Sequence, residues 1–305
     1  MRRALALLAA AALLLGGTAV SHAQDTGGDD AAGAAASAQT TPSPDPGTIQ
    51  ALSGDDSGSA QCGAYTLSWD NERSFSFGTP GRVALSATDA DGNLILDLSH
   101  ELSVAEKLIP RWCGDILGDG TEALAMEEFS GGAHCCFSAS VVLLQPDGRR
   151  LLDVDLGNGG LGRPEQLNQS GPLQLPASSD VFAYFDDLSF AASPFLPQVF
   201  VYDGTEYVEA TRQFPDLLRA DIQQAESALA EAVARPVSPQ VPPRFRYQEQ
   251  ESVALRLYGL HVLLGDAEQA LPGIQARVAP PVATWLAAHA AEAADRMAQR
   301  YNLSD

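Results

Sequence analysis

The sequence predicts a mainly β protein, a β-meander arranged as open or partial propeller-like repeats, followed by a C-terminal α-helical segment. Three observations carry that prediction. From Ala64 to about Phe214, short apolar or alternating runs are punctuated by turn residues, as in a chain of short strands. Asp-Gly pairs recur at Asp91-Gly92, Asp119-Gly120, Asp147-Gly148 and Asp203-Gly204, at intervals of 28, 28 and 56 residues. Beyond Pro215 the apolar residues adopt helical spacing instead.

Residues 1–23 read as a secretory signal peptide. Arg2 and Arg3 precede a twelve-residue apolar run from Ala4 to Leu15, and Ser21 and Ala23 are the small residues ahead of a cleavage point. The run falls short of the roughly 20 residues a membrane-spanning helix requires, and no later stretch approaches that length, so no stable membrane span is expected. The first cysteine is Cys62, which leaves no site for a lipid anchor at the end of the signal. The expected destination is therefore secreted or periplasmic. Cleavage after Ala23 leaves 16 basic residues against 39 acidic ones, a net charge of −23. A chain this acidic repels nucleic acid and anionic membrane surfaces, which excludes both as partners.

Residues 24–60 are built from Gly, Ala, Ser, Thr, Pro and Asp with almost no large apolar side chain, the composition of a disordered linker. The β-rich domain is expected over 61–214. Within it "RVALSATDADGNLILDL", "SVVLLQPDGRRLLDV" and "QVFVYDGTEYVEA" each read as a hairpin whose Asp-Gly supplies the positive φ of a tight turn. A recurrence near 28 residues is the length of a stacked β unit or propeller blade. Three units are too few for the usual closed propeller, hence the open or partial form. The helical segment is expected over 215–305. Leu218, Ile222, Ala225 and Leu229 form one stripe, Val253, Leu257, Leu260 and Leu264 a second, and Val282, Leu286, Ala293 and Met297 a third. The Pro-rich "PVSPQVPPRF" separates the first two.

Chemistry concentrates around "GDILGDGTEALAMEEFSGGAHCCFSASVVLL". This stretch resembles the Asp-x-Asn-Gly-Asp-Gly unit of FG-GAP or VCBS-type repeats, known from integrin α-subunit propellers and secreted bacterial proteins. With the later "YFDDLSFAASPFLPQVFVYDGTEYVEATRQFP" the resemblance spans about Gly114 to Pro215. It implies a Ca²⁺ loop, in which acidic side chains and a backbone carbonyl supply the oxygens that a hard cation takes. Carried over by position, Asp115 is the first ligand, Asp119 a later side-chain ligand and Thr121 the carbonyl position. Leu117 replaces one expected acid and Ala123 the closing carboxylate, while Glu122 stands one residue away. A second acidic set, Asp180, Asp186 and Asp187, requires folding to bring it together.

The cysteines are Cys62, Cys113, Cys135 and Cys136. An oxidising destination favours disulfides over a zinc site or a Cys/His nucleophile, and the adjacency of Cys135 and Cys136 suits neither alternative. Four cysteines permit three pairings. In one geometry Cys135 closes on Cys136 beside Gly131 and Gly132, leaving Cys62 with Cys113; in the other the two neighbours bond separately to Cys62 and Cys113. No phosphate loop, dinucleotide fingerprint or Gly-x-Ser-x-Gly elbow is present. The expected function is a noncatalytic interaction module for a protein or envelope component, with Ca²⁺ as the candidate cofactor. The rival is a secreted hydrolase drawing on the carboxylates of Asp115, Glu127 and Glu128.

Overall fold

The computed structural model describes residues 45, 48–54, 56–72, 81–98, 100–102, 107–130 and 137–303. All of them fall within one unit, Thr41–Asp305. The signal peptide, residues 24–44 of the expected linker, and His134, Cys135 and Cys136 lie outside the described residues.

Among the described residues there are three antiparallel sheets and a C-terminal helical layer. The central sheet runs in the order β1 (Gln50–Ala51), β7 (Lys107–Gly114), β8 (Ala123–Phe129), β9 (Phe137–Leu143), β10 (Arg150–Gly157). A second sheet orders β2 (Ser57–Cys62), β3 (Tyr65–Glu72), β4 (Gly81–Thr88) and β5 (Leu94–Asp97), with β6 (His100–Leu102) also on β4. The third is β11 (Leu175–Ser179), β12 (Leu196–Tyr202) and β13 (Tyr207–Glu209). None of these sheets closes into a barrel.

All four Asp-Gly pairs lie at hairpin turns, between β4 and β5, β7 and β8, β9 and β10, and β12 and β13. Gly92, Gly120, Gly148 and Gly204 adopt φ of +82°, +86°, +54° and +107°, the left-handed region that a side chain would disfavour. These turns are distributed over three different sheets.

The central sheet is buried on both faces because its strands alternate between two cores. Ala123 and Ala125 of β8, with Ala139 and Val141 of β9, join Phe200 and Tyr207 of the third sheet. Their neighbours Leu124, Met126 and Val142 join Leu67, Trp69, Val83 and Leu85 of the second sheet. Pro110 is tolerated in β7 because the pairing register shifts between Pro110 and Trp112, a bulge that relieves the ladder.

The folded region begins ahead of Gln61, where the linker was expected to end. Ile49 is 2% exposed inside the central core, β1 pairs with Cys113 and Trp112, and most of β2 precedes Gln61. Composition misses this stretch because two apolar residues, Ile49 and Leu52, suffice to anchor a strand added to an existing edge.

The helices are α1 (Pro215–Ala234), α2 (Gln248–Leu264), α3 (Ala267–Gln275) and α4 (Pro280–Arg300). The α2 helix packs against the other three, and Gly265 ends it in the left-handed conformation with φ +82°. The core of this layer is not made by helices alone. Phe182, Phe185, Leu188 and Leu196, from the connection between β11 and β12 and the start of β12, complete it.

Candidate functional site

Gly114 ends β7, and Asp115 opens the loop that returns the chain into β8. The Asp115 carboxylate folds that loop around itself. Its Oδ1 accepts from the amides of Leu117 at 3.1 Å and Gly118 at 2.7 Å, and its Oδ2 accepts from Gly120 N at 2.8 Å. Asp119 Oδ1 accepts from Thr121 N at 2.9 Å. Carboxylates held by local amides explain the turn without any ion. The two positions where the resembled motif expects acids are turned to another use: Leu117 packs on the central core, and Ala123 is fully buried within β8.

Glu122 projects instead against the β2–β3 turn. A Cβ built on Gly63 would lie against the Glu122 carboxylate, which would have to shift, and φ +56° is the conformation that favours glycine there. Burial pushes the Glu122 carboxyl above the usual range, and the negative charge of Asp115 pushes it further. Beside it, Cys62 and Cys113 are joined in a buried disulfide with Cα atoms 5.9 Å apart, closing 51 residues of chain. The result is a cleft of about 400 Å³, walled by Asp45, Thr48 and Gln50 on one side, Gly63 on another, and Asp115 and Glu122 on the third. Among the described residues the lining holds carboxylates and no lysine or arginine, and the Asp115 and Glu122 pair favours positive charge there.

The remaining sequence candidates are placed apart. Glu127 is 4% exposed, accepts from Leu161 N at 2.6 Å and faces Arg111 at 3.4 Å, which ties down the 158–162 segment. Glu128 faces the opposite side of β8, lining a cleft of about 230 Å³ with Ser138, Ser140, Arg150 and Asp153. Asp115 precedes this strand and Glu127 lies near its far end, so the three carboxylates named for hydrolysis do not converge. Asp180 accepts from Asn158 N at 2.8 Å, while Asp186 accepts from the Trp285 indole at 2.7 Å. Among the described residues, no group of three or more His, Cys, Asp or Glu is arranged to hold a metal ion.

Two features had no signal in the sequence. The contribution of Asp45, Thr48 and Gln50 to the cleft depends on β1 pairing with a strand some 60 residues later. The anchoring of Asp186 depends on Trp285, 99 residues away, with His289 Nε2 at 3.6 Å from the same carboxylate. Compared with family models, with curated proteins and with solved structures, the chain finds no match in any of the three.

Proposed function

We propose that this chain is a secreted or periplasmic, noncatalytic binding module whose working surface is the acidic cleft beside the Asp115 loop. The observation that carries the reading is the convergence of Asp115 and Glu122 on one cleft, where burial and the charge of Asp115 both push the Glu122 carboxyl above its usual range. A cationic group entering there replaces repulsion between Glu122 and Asp115 with attraction. Two ligands fit that chemistry: Ca²⁺, as the FG-GAP-like reading of the loop implies, and a basic side chain presented by an envelope protein. The open, propeller-like reading of the β region belongs to the same proposal, since such repeats display their loops for binding.

The test is a thermal melt of the oxidised protein with and without millimolar Ca²⁺. A ligand of the native state raises the melting temperature by mass action. Glu122→Gln and Asp119→Ala should each reduce that rise. No shift removes Ca²⁺ from the proposal, and recovery of the same envelope protein by the wild type and by Glu122→Gln would remove the cleft.

A further inference from the structure

We propose that the outer edge of β2 is a strand-addition site for an extended basic segment of a partner protein, which lays a lysine or arginine into the acidic cleft where β2 ends. The inference rests on the reading of the cleft as the working surface, and it names the partner that this surface takes.

β2 stands at the edge of the second sheet, with β3 as its pairing partner among the described residues. Asn71 N donates to Asp56 O at 2.7 Å, and this bond sets the parity of the ladder. Gly58, Ala60 and Cys62 therefore bond to β3, whereas Ser57, Ser59 and Gln61 turn their amides and carbonyls outward. Among the described residues nothing bonds to those outward groups.

Native sheets blunt such an edge with charge, proline, a bulge, shortness or a cover. β2 has none of these. Its ladder runs through six residues without a register shift, and Ser57–Cys62 contains no charged residue and no proline. The other edges among the described residues are blunted. β1, β6 and β13 have two or three residues, and β5 has four with a register shift in its pairing. β10 carries Arg150, Asp153 and Asp155 and two register shifts, while residues 160–165 cover β11.

Position supplies the specificity. The strap around β1 runs along β7 and turns into β2 where Lys107 holds Gly54 O and Asp56. β1 and β2 thus lie at the same edge of the two stacked sheets. The cleft lies at the other end of both, between Thr48 and Gln50 of the strap and Gly63 just beyond β2. A strand added along β2 would run toward Glu122, and a cationic side chain at that end would meet the Glu122 and Asp115 pair. Main-chain bonds supply affinity in this mode, and the cleft selects the charge. A second copy suits the edge less. Each chain carries a net charge of −21, and antiparallel pairing would bring the Asp56 end of one strand to the Glu122 end of the other.

The test uses the full oxidised chain and a capped heptapeptide of alternating threonine and lysine, with binding followed by calorimetry. The same peptide N-methylated at every residue keeps its charge but loses its amides, and should bind about tenfold more weakly or worse. The lysine peptide should also slow hydrogen exchange in 57–61. Ser59→Pro removes an outward N–H without touching the bonds to β3, and should abolish binding with circular dichroism unchanged. Glu122→Gln should weaken binding several-fold, and a threonine–glutamate peptide should not bind. Equal affinity for the plain and N-methylated peptides overturns strand addition while leaving the cleft as a site for charge; this comparison decides even if Ser59→Pro fails to fold. Slowed exchange in 57–61 with equal affinity in wild type and Glu122→Gln overturns the part given to the cleft, in this proposal and in the reading it rests on. No binding of the lysine peptide at millimolar concentration overturns the proposal. Self-association of the wild type that Ser59→Pro abolishes would give the edge to a second copy and overturn it too.

Discussion

Glu122 sits where an ionised carboxylate is costly, and the sign of that cost can be read from pH. Its raised folded-state pKa contributes stability that is fully present below the ordinary glutamate range and is lost as pH rises through the raised value. Glu122→Gln should therefore melt higher than wild type at neutral pH, by a few degrees at most, with the difference vanishing below about pH 4. Melting curves across that range check it; an unchanged difference at all pH values would mean the carboxyl is not desolvated. Asp186 works in the other direction. The Trp285 indole N–H holds its carboxyl below the usual range against the opposing effect of burial, and the Asp187 amide and His289 assist. That stability is present above the ordinary aspartate range and is lost as pH falls through the depressed value. Asp186→Asn should lower the melting temperature at pH 7 and flatten its decline in acid. Part of this was legible in the sequence. Asp115 and Asp119 are picked out as Ca²⁺ ligands by their place in a resembled motif, and what the structure gives them is a local role, capping amides two to five residues ahead. Gly63 against Glu122 and Trp285 against Asp186 are not picked out, because long-range packing brings those pairs together.

At the scale of elements, local period was a good guide and averaged composition was not. The stripes in α1 and α4 are buried as their spacing requires, whereas in α2 Leu257 and Leu260 are enclosed, Val253 and Leu264 are half-buried, and Ala254, Leu255 and Leu263 are buried outside the stripe because three helices pack around it. The hairpin turns followed from Asp-Gly chemistry for the same reason, that each turn specifies its own backbone. The strap around β1 escaped because its stability is borrowed from β7 and from the core that receives Ile49. Gly114 lies so close that a Cβ there would be 2.7 Å from Ile49 Cδ1, which leaves the isoleucine side chain little freedom to move. Ile49→Asp places a charge in that closed space and should cost about 3 kcal/mol or more. A urea titration measures it. The expected result is a lower midpoint with an accelerated exchange of 48–54; a variant as stable as wild type would return the segment to the status of a linker.

At the scale of the molecule, the expected boundary at Phe214 and Pro215 marks a change of secondary structure without a change of core. The connection between β11 and β12 inserts Phe182 and Phe185 among the helices, and Leu196 carries the contact into the third sheet. Helical periodicity could not reveal this, since it identifies the apolar face of a helix and not what covers it. Two helical glycines separate the local contribution from the global one. A Cβ on Gly259 of α2 would stand 2.8 Å from the Phe182 ring and 2.9 Å from Leu196 Cδ1, whereas one on Gly273 of α3 meets nothing within 4 Å. Helix propensity alone favours alanine at both positions, by roughly 0.5–1 kcal/mol. At Gly273 that gain should stand. At Gly259 the neighbours are fully buried and have no free space to yield, so overpacking of about 1–3 kcal/mol should outweigh it and make Gly259→Ala destabilising. Denaturant titrations should thus give opposite signs for the two variants. In Gly259→Ala combined with Trp285→Phe, so that Trp69 and Trp112 in the sheets are the remaining tryptophans, the loss of helical circular dichroism and the fluorescence change should move to lower denaturant together, because Phe182 and Leu196 couple helices to sheets. Separation of the two transitions would show that the helical layer unfolds on its own.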